Sequence, residues 1–222
     1  MRQEEALNGS IEIWIRWTKY YKNLGIDPVG ICKDGIVDQD KFENTYPRVL
    51  FVLQEVTKFP GGDLRILFKE TLAGLGKNIA RCSAGIYNNF PEYKEIEKMD
   101  DALLRQYTAK IAVICLKKVS DRSASPASLI NAYVKQDKNL LLEQIGLMKP
   151  VLIVACNTFD FLIKLLNLRA KANLSEPIVD TRRKAWIIPL RYPANADQFP
   201  INANGRQMYN NLKDQIWRKI DY

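Results

Sequence analysis

Apolar residues recur at helical spacing over residues 10–24, through Ile11, Trp14, Trp17, Tyr21 and Leu24. This predicts an amphipathic helix with Ser10 as N-cap and Gly25 as stop. On such a stripe tryptophan and tyrosine pack a core more readily than they stack on bases. Over residues 25–47 the turn-rich Lys33-Asp34-Gly35 before Ile36-Val37 suggests one short hairpin. The pattern changes at residues 48–53, where Arg48-Val49-Leu50-Phe51-Val52-Leu53 runs apolar without alternation, as in a parallel-sheet strand covered on both faces. Three more apolar runs, 111–116, 151–156 and 185–190, read the same way.

Helical segments fall between these runs. Asp63 can cap a helix reaching about residue 74, and 77–87 continues as another. Ser125-Pro126 opens a third, and 137–148 is helical. Asn157-Thr158 caps a helix carrying Phe159, Leu162 and Leu166, and 206–220 closes the chain with Met208, Leu212, Ile216 and Ile220 on one face. Strands alternating with helices imply an α/β fold, here a three-layer α/β/α sandwich around a central four-stranded parallel sheet. A chain of 222 residues suits one domain, 1–222, with 1–47 as a helix and hairpin extension packed on it. In such folds ligands bind outside the carboxyl ends of the strands. The loops to inspect are therefore 54–62, 117–125, Asn157 with its neighbours, and 191–199.

Composition narrows the chemistry. There is no histidine, which excludes Ser–His–Asp and Cys–His catalysis and histidine-bearing zinc sites. Cys32, Cys82, Cys115 and Cys156 lie tens of residues apart, so neither a metal cluster nor a disulfide framework is expected, and Cys115 and Cys156 end apolar runs in which cysteine behaves as a small buried hydrophobe. No apolar run reaches the ~18 residues of a membrane span, and Met-Arg-Gln-Glu-Glu does not resemble an export signal, so a cytoplasmic address without membrane association is expected. Thirty-three Lys and Arg against 25 Asp and Glu give a net charge of +8. Such a surface attracts polyanions, nucleic acid first among them, although many basic proteins use their charge only for solubility.

Each loop carries candidates. Gln54-Glu55 directly follows a buried strand, where a carboxylate can orient or deprotonate water. Gly61 and Gly62 precede a capped helix and could let the backbone approach a phosphate, or could simply turn the chain. Lys117, Lys118, Ser123 and Ser125 mix cations and hydroxyls suited to phosphodiester oxygens, or form a merely solvated loop. The last loop offers Arg191, Tyr192, Pro193 and Asn195, preceded upstream by Arg182-Arg183-Lys184, a basic run that reads as solvated. Neither G-x-G-x-x-G nor G-x-x-x-x-G-K-[ST] occurs, which argues against dinucleotide and Walker-type sites, and no cofactor is expected.

Val49-Leu50-Phe51-Val52-Leu53-Gln54-Glu55 resembles the strand leading into the first motif of the uracil-DNA glycosylase superfamily, G-Q-D-P-Y-H or G-E-A-P-G in different branches. Asp34-Gly35-Ile36 and Leu116-Lys117-Lys118 are similar in texture to uncharacterised bacterial relatives of that superfamily. The resemblance covers residues 48–222. It implies a four-stranded parallel sheet, base-flipping loops, and binding of DNA rather than RNA, or of a nucleobase or nucleotide, in DNA repair. It further implies Glu55 orienting the water that cleaves an N-glycosidic bond, a base held by Gln54, Phe59, Cys115 and Asn157, and Tyr192 at the leaving base. The pattern departs from the family at three places. Tyr192 before Pro193 stands where a histidine belongs, Cys115 where an asparagine reads uracil, and Ala196 where some members carry an apolar wedge. These departures leave two expectations open: a glycosylase-like hydrolase of altered activity, or a binding module for nucleic acid, nucleotide or protein on the same fold.

Overall fold

The structure, a computed structural model, describes residues 2–59, 61–169, 175–191 and 205–217; the side chains of residues 2–10 and of Pro28 fall outside that description. The chain opens with helix α1 (Arg2–Asn23), a single 3₁₀ turn at Pro28–Gly30, strands β1 (Cys32–Lys33) and β2 (Gly35–Ile36), and helix α2 (Gln39–Glu43). Next come β3 (Val49–Leu53), β4 (Gly62–Asp63) and helices α3 (Leu64–Glu70), α4 (Gly74–Tyr87), α5 (Tyr93–Glu97) and α6 (Asp101–Thr108). Strand β5 (Ile111–Cys115) leads to α7 (Ala127–Gln136) and α8 (Lys138–Met148), and β6 (Leu152–Cys156) to α9 (Phe159–Leu165). Strands β7 (Ile178–Asp180) and β8 (Ala185–Leu190) precede α10 (Gly205–Trp217).

The four strands read from the apolar runs are the inner ones, and each is parallel to its neighbours, in the order β5-β3-β6-β8. Every residue of β3, β5 and β6 is buried, as an unalternating apolar run requires. Val49, Phe51 and Leu53 enter the core on one face, together with side chains from α3, α4, α6 and α10. Leu50 and Val52 enter the core on the other face, with α1, α7, α8 and α9. Each such side chain contributes roughly 1.5–3 kcal/mol by leaving water.

The sheet is larger than the four strands expected. It is a mixed, six-stranded sheet, with β2 and β7 as antiparallel edges. Neither edge strand exceeds three residues, which is why the hydrophobic pattern did not mark them. The expected hairpin at residues 32–37 does not form. β1 pairs in parallel with β4 in a separate two-stranded sheet, while β2 pairs with β5. Between them, Asp34 turns inward and accepts the Cys115 N–H at 2.7 Å, so the chain divides at a buried carboxylate instead of turning back on itself.

Helix α1 starts well before Ser10, which therefore lies inside it. Trp14, Trp17 and Tyr21 are buried, whereas Ile11 and Leu24, expected on the same stripe, are exposed. Asp63 caps α3 as anticipated, its carboxylate accepting the Arg65 N–H at 3.0 Å. Ser125 does not cap α7, and Thr158 does not cap α9 with its side chain, because both hydroxyls are used across the site.

Candidate functional site

The carboxyl ends of the inner strands are tied side to side. Leu116 and Lys117 donate their N–H groups to Leu53 and Gln54 carbonyls, both at 2.9 Å, and Lys58 N–H reaches Asp121 O at 2.8 Å. Phe59 N–H donates to Ser120 Oγ at 3.0 Å. Toward β6, the Gln54 amide donates to Asn157 O at 3.0 Å and Thr158 Oγ1 to Val52 O at 2.9 Å. Asn157, held in the left-handed region at φ 54°, donates its N–H to Leu190 O at 2.9 Å. Loops distant in sequence thus form one continuous edge carrying Gln54, Phe59, Asn157 and Arg191.

At its centre Glu55 is fully engaged. Its side chain is 5% exposed; Oε1 accepts the Ser125 N–H, and Oε2 accepts from Lys117 Nζ at 2.6 Å and Ser125 Oγ at 2.8 Å. Lys117 is equally occupied. Its ammonium has three protons, and it meets three acceptors: Glu55, Asp121 Oδ2 at 2.7 Å and Val119 O at 2.8 Å, beneath the Tyr133 ring. The hydrogen bond from Lys117 holds the Asp121 carboxyl below its ordinary range, so this half-exposed acid stays ionised beside the pair. Glu55 therefore acts as a clamp joining the β3 loop to the β5 loop rather than as a carboxylate open to water.

The next lysine is buried more deeply. Lys118 lies on the opposite face of the strand end, fully buried, and donates to Asp34 Oδ1 at 2.9 Å and Oδ2 at 2.7 Å. Trp14 and Trp17 rings flank its ammonium with centroids at 5.6 and 5.2 Å, and Gln144 Nε2 completes the cage on Asp34 at 2.8 Å. Trp14 Nε1 also donates to Asp34 O at 3.1 Å, pinning α1 to the sheet. Burial pushes the Asp34 carboxyl up, against the opposing pull of Lys118.

Several expected site residues are corrected by these contacts. Lys117 and Lys118 do not face a phosphodiester; both are buried and ion-paired. Cys115 does not line the base pocket that the resemblance implies: it is fully buried in the core, as the apolar run it ends predicts, and the neighbouring Cys32 thiol together with burial holds its pKa well up. Gly61 and Gly62 do not cradle an anion. An added Cβ at Gly61, at φ 90°, would run into the Val29 carbonyl, and Gly62 pairs with Cys32 in the small sheet. The helix that follows already carries the Asp63 carboxylate at its start, bound by the Arg65 guanidinium. Arg182 and Arg183 are not simply solvated. Arg182 donates to Leu166 O at 2.6 Å, closing α9, and Arg183 pairs with the buried Asp180 at 2.6 Å.

Ser123 remains exposed, as does the start of the last loop at Arg191, whose carbonyl accepts from Asn211 Nδ2 at 3.4 Å. Tyr192, Pro193, Asn195 and Ala196 lie outside the described residues. Among the described residues, the cations exposed along this edge are Lys58, Arg122 and Arg191. Lys58 and Arg122 each stand without a basic neighbour, so nothing in the sequence pattern sets them above the adjacent Lys117-Lys118 pair. The partners that bury those lysines, Asp34 and Glu55, lie more than 60 residues upstream, where spacing gives no signal. Among the described residues no three His, Cys, Asp or Glu side chains gather as metal ligands, and no helix is long and apolar enough to cross a membrane.

Family models, curated proteins and solved structures yield no match to this chain.

Proposed function

We propose that this chain is a uracil-DNA glycosylase-like protein that holds DNA, or a nucleobase from it, along the carboxyl ends of its inner strands without cleaving the N-glycosidic bond. The observation that carries the reading is the clamped Glu55. Both of its oxygens are taken by Lys117 and Ser125, so the one carboxylate the family resemblance offers for water attack is not presented to the cleft. Binding draws support from the net charge of +8 and from Arg122, Lys58 and Arg191 on the loops after β5, β3 and β8. Strands about 4.8 Å apart spread that row over roughly 14 Å, enough to follow a strand of phosphates. Between these cations lie partly buried Phe59, suited to stacking, and Gln54, whose amide carries an acceptor oxygen and a second N–H besides the one given to Asn157 O.

Incubation with oligonucleotides carrying uracil, other damaged bases or none checks the absence of cleavage. The expected result is no abasic product above the no-enzyme background, by alkaline strand scission, under conditions where the same oligonucleotides bind. Abasic product that disappears in Glu55→Gln would overturn the reading and restore the hydrolase.

A further inference from the structure

A second group of polar side chains gathers where α10 begins. Gly205 opens this 13-residue helix, and its first turn carries no acidic residue. A Cβ built on Gly205 would stand 2.5 Å from Asn78 Oδ1, 2.7 Å from the Tyr93 hydroxyl and 3.3 Å from an Arg81 guanidinium nitrogen. Side chains from α4 and α5 thus converge on the positive end of α10, and only a residue without a side chain lets the backbone in among them. Two of these groups have donors to spare. Tyr93 is 8% exposed, yet among the described residues its hydroxyl makes no hydrogen bond. Burial pushes that hydroxyl up, so it stays protonated and able to donate. Arg81 meets no acceptor among the described residues either: its guanidinium lies over the Tyr93 ring at 5.9 Å, with Nε buried and unpartnered.

The charges around this point leave a surplus. Arg206, in the first turn of α10, lies over the same ring at 5.3 Å and pairs with Glu97 at 3.5 Å, while Lys77 takes Asp101 at 2.8 Å. Both nearby acids are therefore committed, and the Arg81 charge is left without a counter-ion among the described residues. Buried donors without acceptors are costly, and a spare guanidinium and hydroxyl at a helix start make the surroundings of an oxyanion. A carboxylate is planar and offers two oxygens, whereas tetrahedral phosphate oxygens meet donors arriving from several directions at once. We infer that the junction of α4, α5 and α10 binds a phosphate group, held by the Arg81 guanidinium, the Tyr93 hydroxyl and the first-turn N–H groups of α10.

The probe is inorganic phosphate, titrated by calorimetry into the full chain, with chloride at the same ionic strength as the control. Saturable binding is expected, weaker by about tenfold or more in Arg81→Met and in Tyr93→Phe. Tyr93→Phe removes only an unbonded hydroxyl and leaves the core in place, so it carries the test if Arg81→Met does not fold. An oligonucleotide with and without a 5′-phosphate separates the two sources of the group. Tighter binding of the phosphorylated form, lost in the variants, assigns the site to a strand end, and equal binding of both forms assigns it to the free ion. The site shares no residue with the strand-end edge, so inorganic phosphate tests it whether or not that edge holds nucleic acid. Absence of phosphate binding together with no gain from the 5′-phosphate overturns the inference. Phosphate binding left unchanged by the variants does so too.

Discussion

Lys118→Ala is expected to lower the unfolding free energy by about 3–5 kcal/mol, the cost of leaving a buried charge without its counter-ion. Asp34 would keep only the Cys115 N–H and the Gln144 amide in a fully buried site, and the cation would leave Trp14 and Trp17. Because the same cage pins α1 to the sheet through the Trp14 indole, α1 should loosen together with it. Urea unfolding followed by tryptophan fluorescence reads both effects. The double variant Asp34→Asn/Lys118→Met should recover more than half of the loss, since it removes both charges and keeps an acceptor for the Cys115 N–H. Additive losses in the double variant would show that Asp34 and Lys118 do not act as a pair.

Glu55→Ala is expected to cost about 3 kcal/mol, at the lower end of the range for a broken buried pair, because Asp121 remains beside Lys117. Glu55→Gln should cost about 1–2 kcal/mol, keeping an acceptor for the Ser125 N–H while losing the charge that Lys117 meets. The two variants separate structure from chemistry. A carboxylate held only to activate water would leave the unfolding free energy within about 0.5 kcal/mol of wild type in both, as uncommitted surface changes do. A clamp joining two loops would not.

The inner architecture was legible because burial on both faces leaves an unbroken apolar run, and β3, β5, β6 and β8 each carry one. The edges were not legible. A two-residue strand such as β2 has no pattern to show, and Gly35 and Ile36 join the sheet because Asp34 beside them is drawn into the core by Lys118. The segment between α4 and β5 shows no clear hydrophobic period in the sequence, although Asp100 caps α6 by accepting the Leu103 N–H at 2.7 Å. There the helices are short, five and eight residues, and bury only two side chains each. The candidate site was legible by position and misread by chemistry. The loops after β3, β5 and β6 do meet, bringing Gln54, Glu55, Ser125 and Asn157 to one edge. A run such as Lys117-Lys118 looks solvated when read locally, and only the acids that pair with it, 62 and 84 residues away in sequence, show that it is core.

If the exposed cations of the strand-end loops, not the buried lysines, hold nucleic acid, the affinity for a single-stranded oligonucleotide must depend on salt in different ways in the wild type and in Lys58→Ala/Arg122→Ala/Arg191→Ala. Each phosphate neutralised contributes about 0.7 to the slope of log affinity against log salt on single strands. The wild type should therefore show a steep linear fall, and the triple variant a slope shallower by about 2, with an unchanged unfolding midpoint. A wild-type protein that does not bind, or a triple variant with the wild-type slope, would mean that these three cations do not hold nucleic acid.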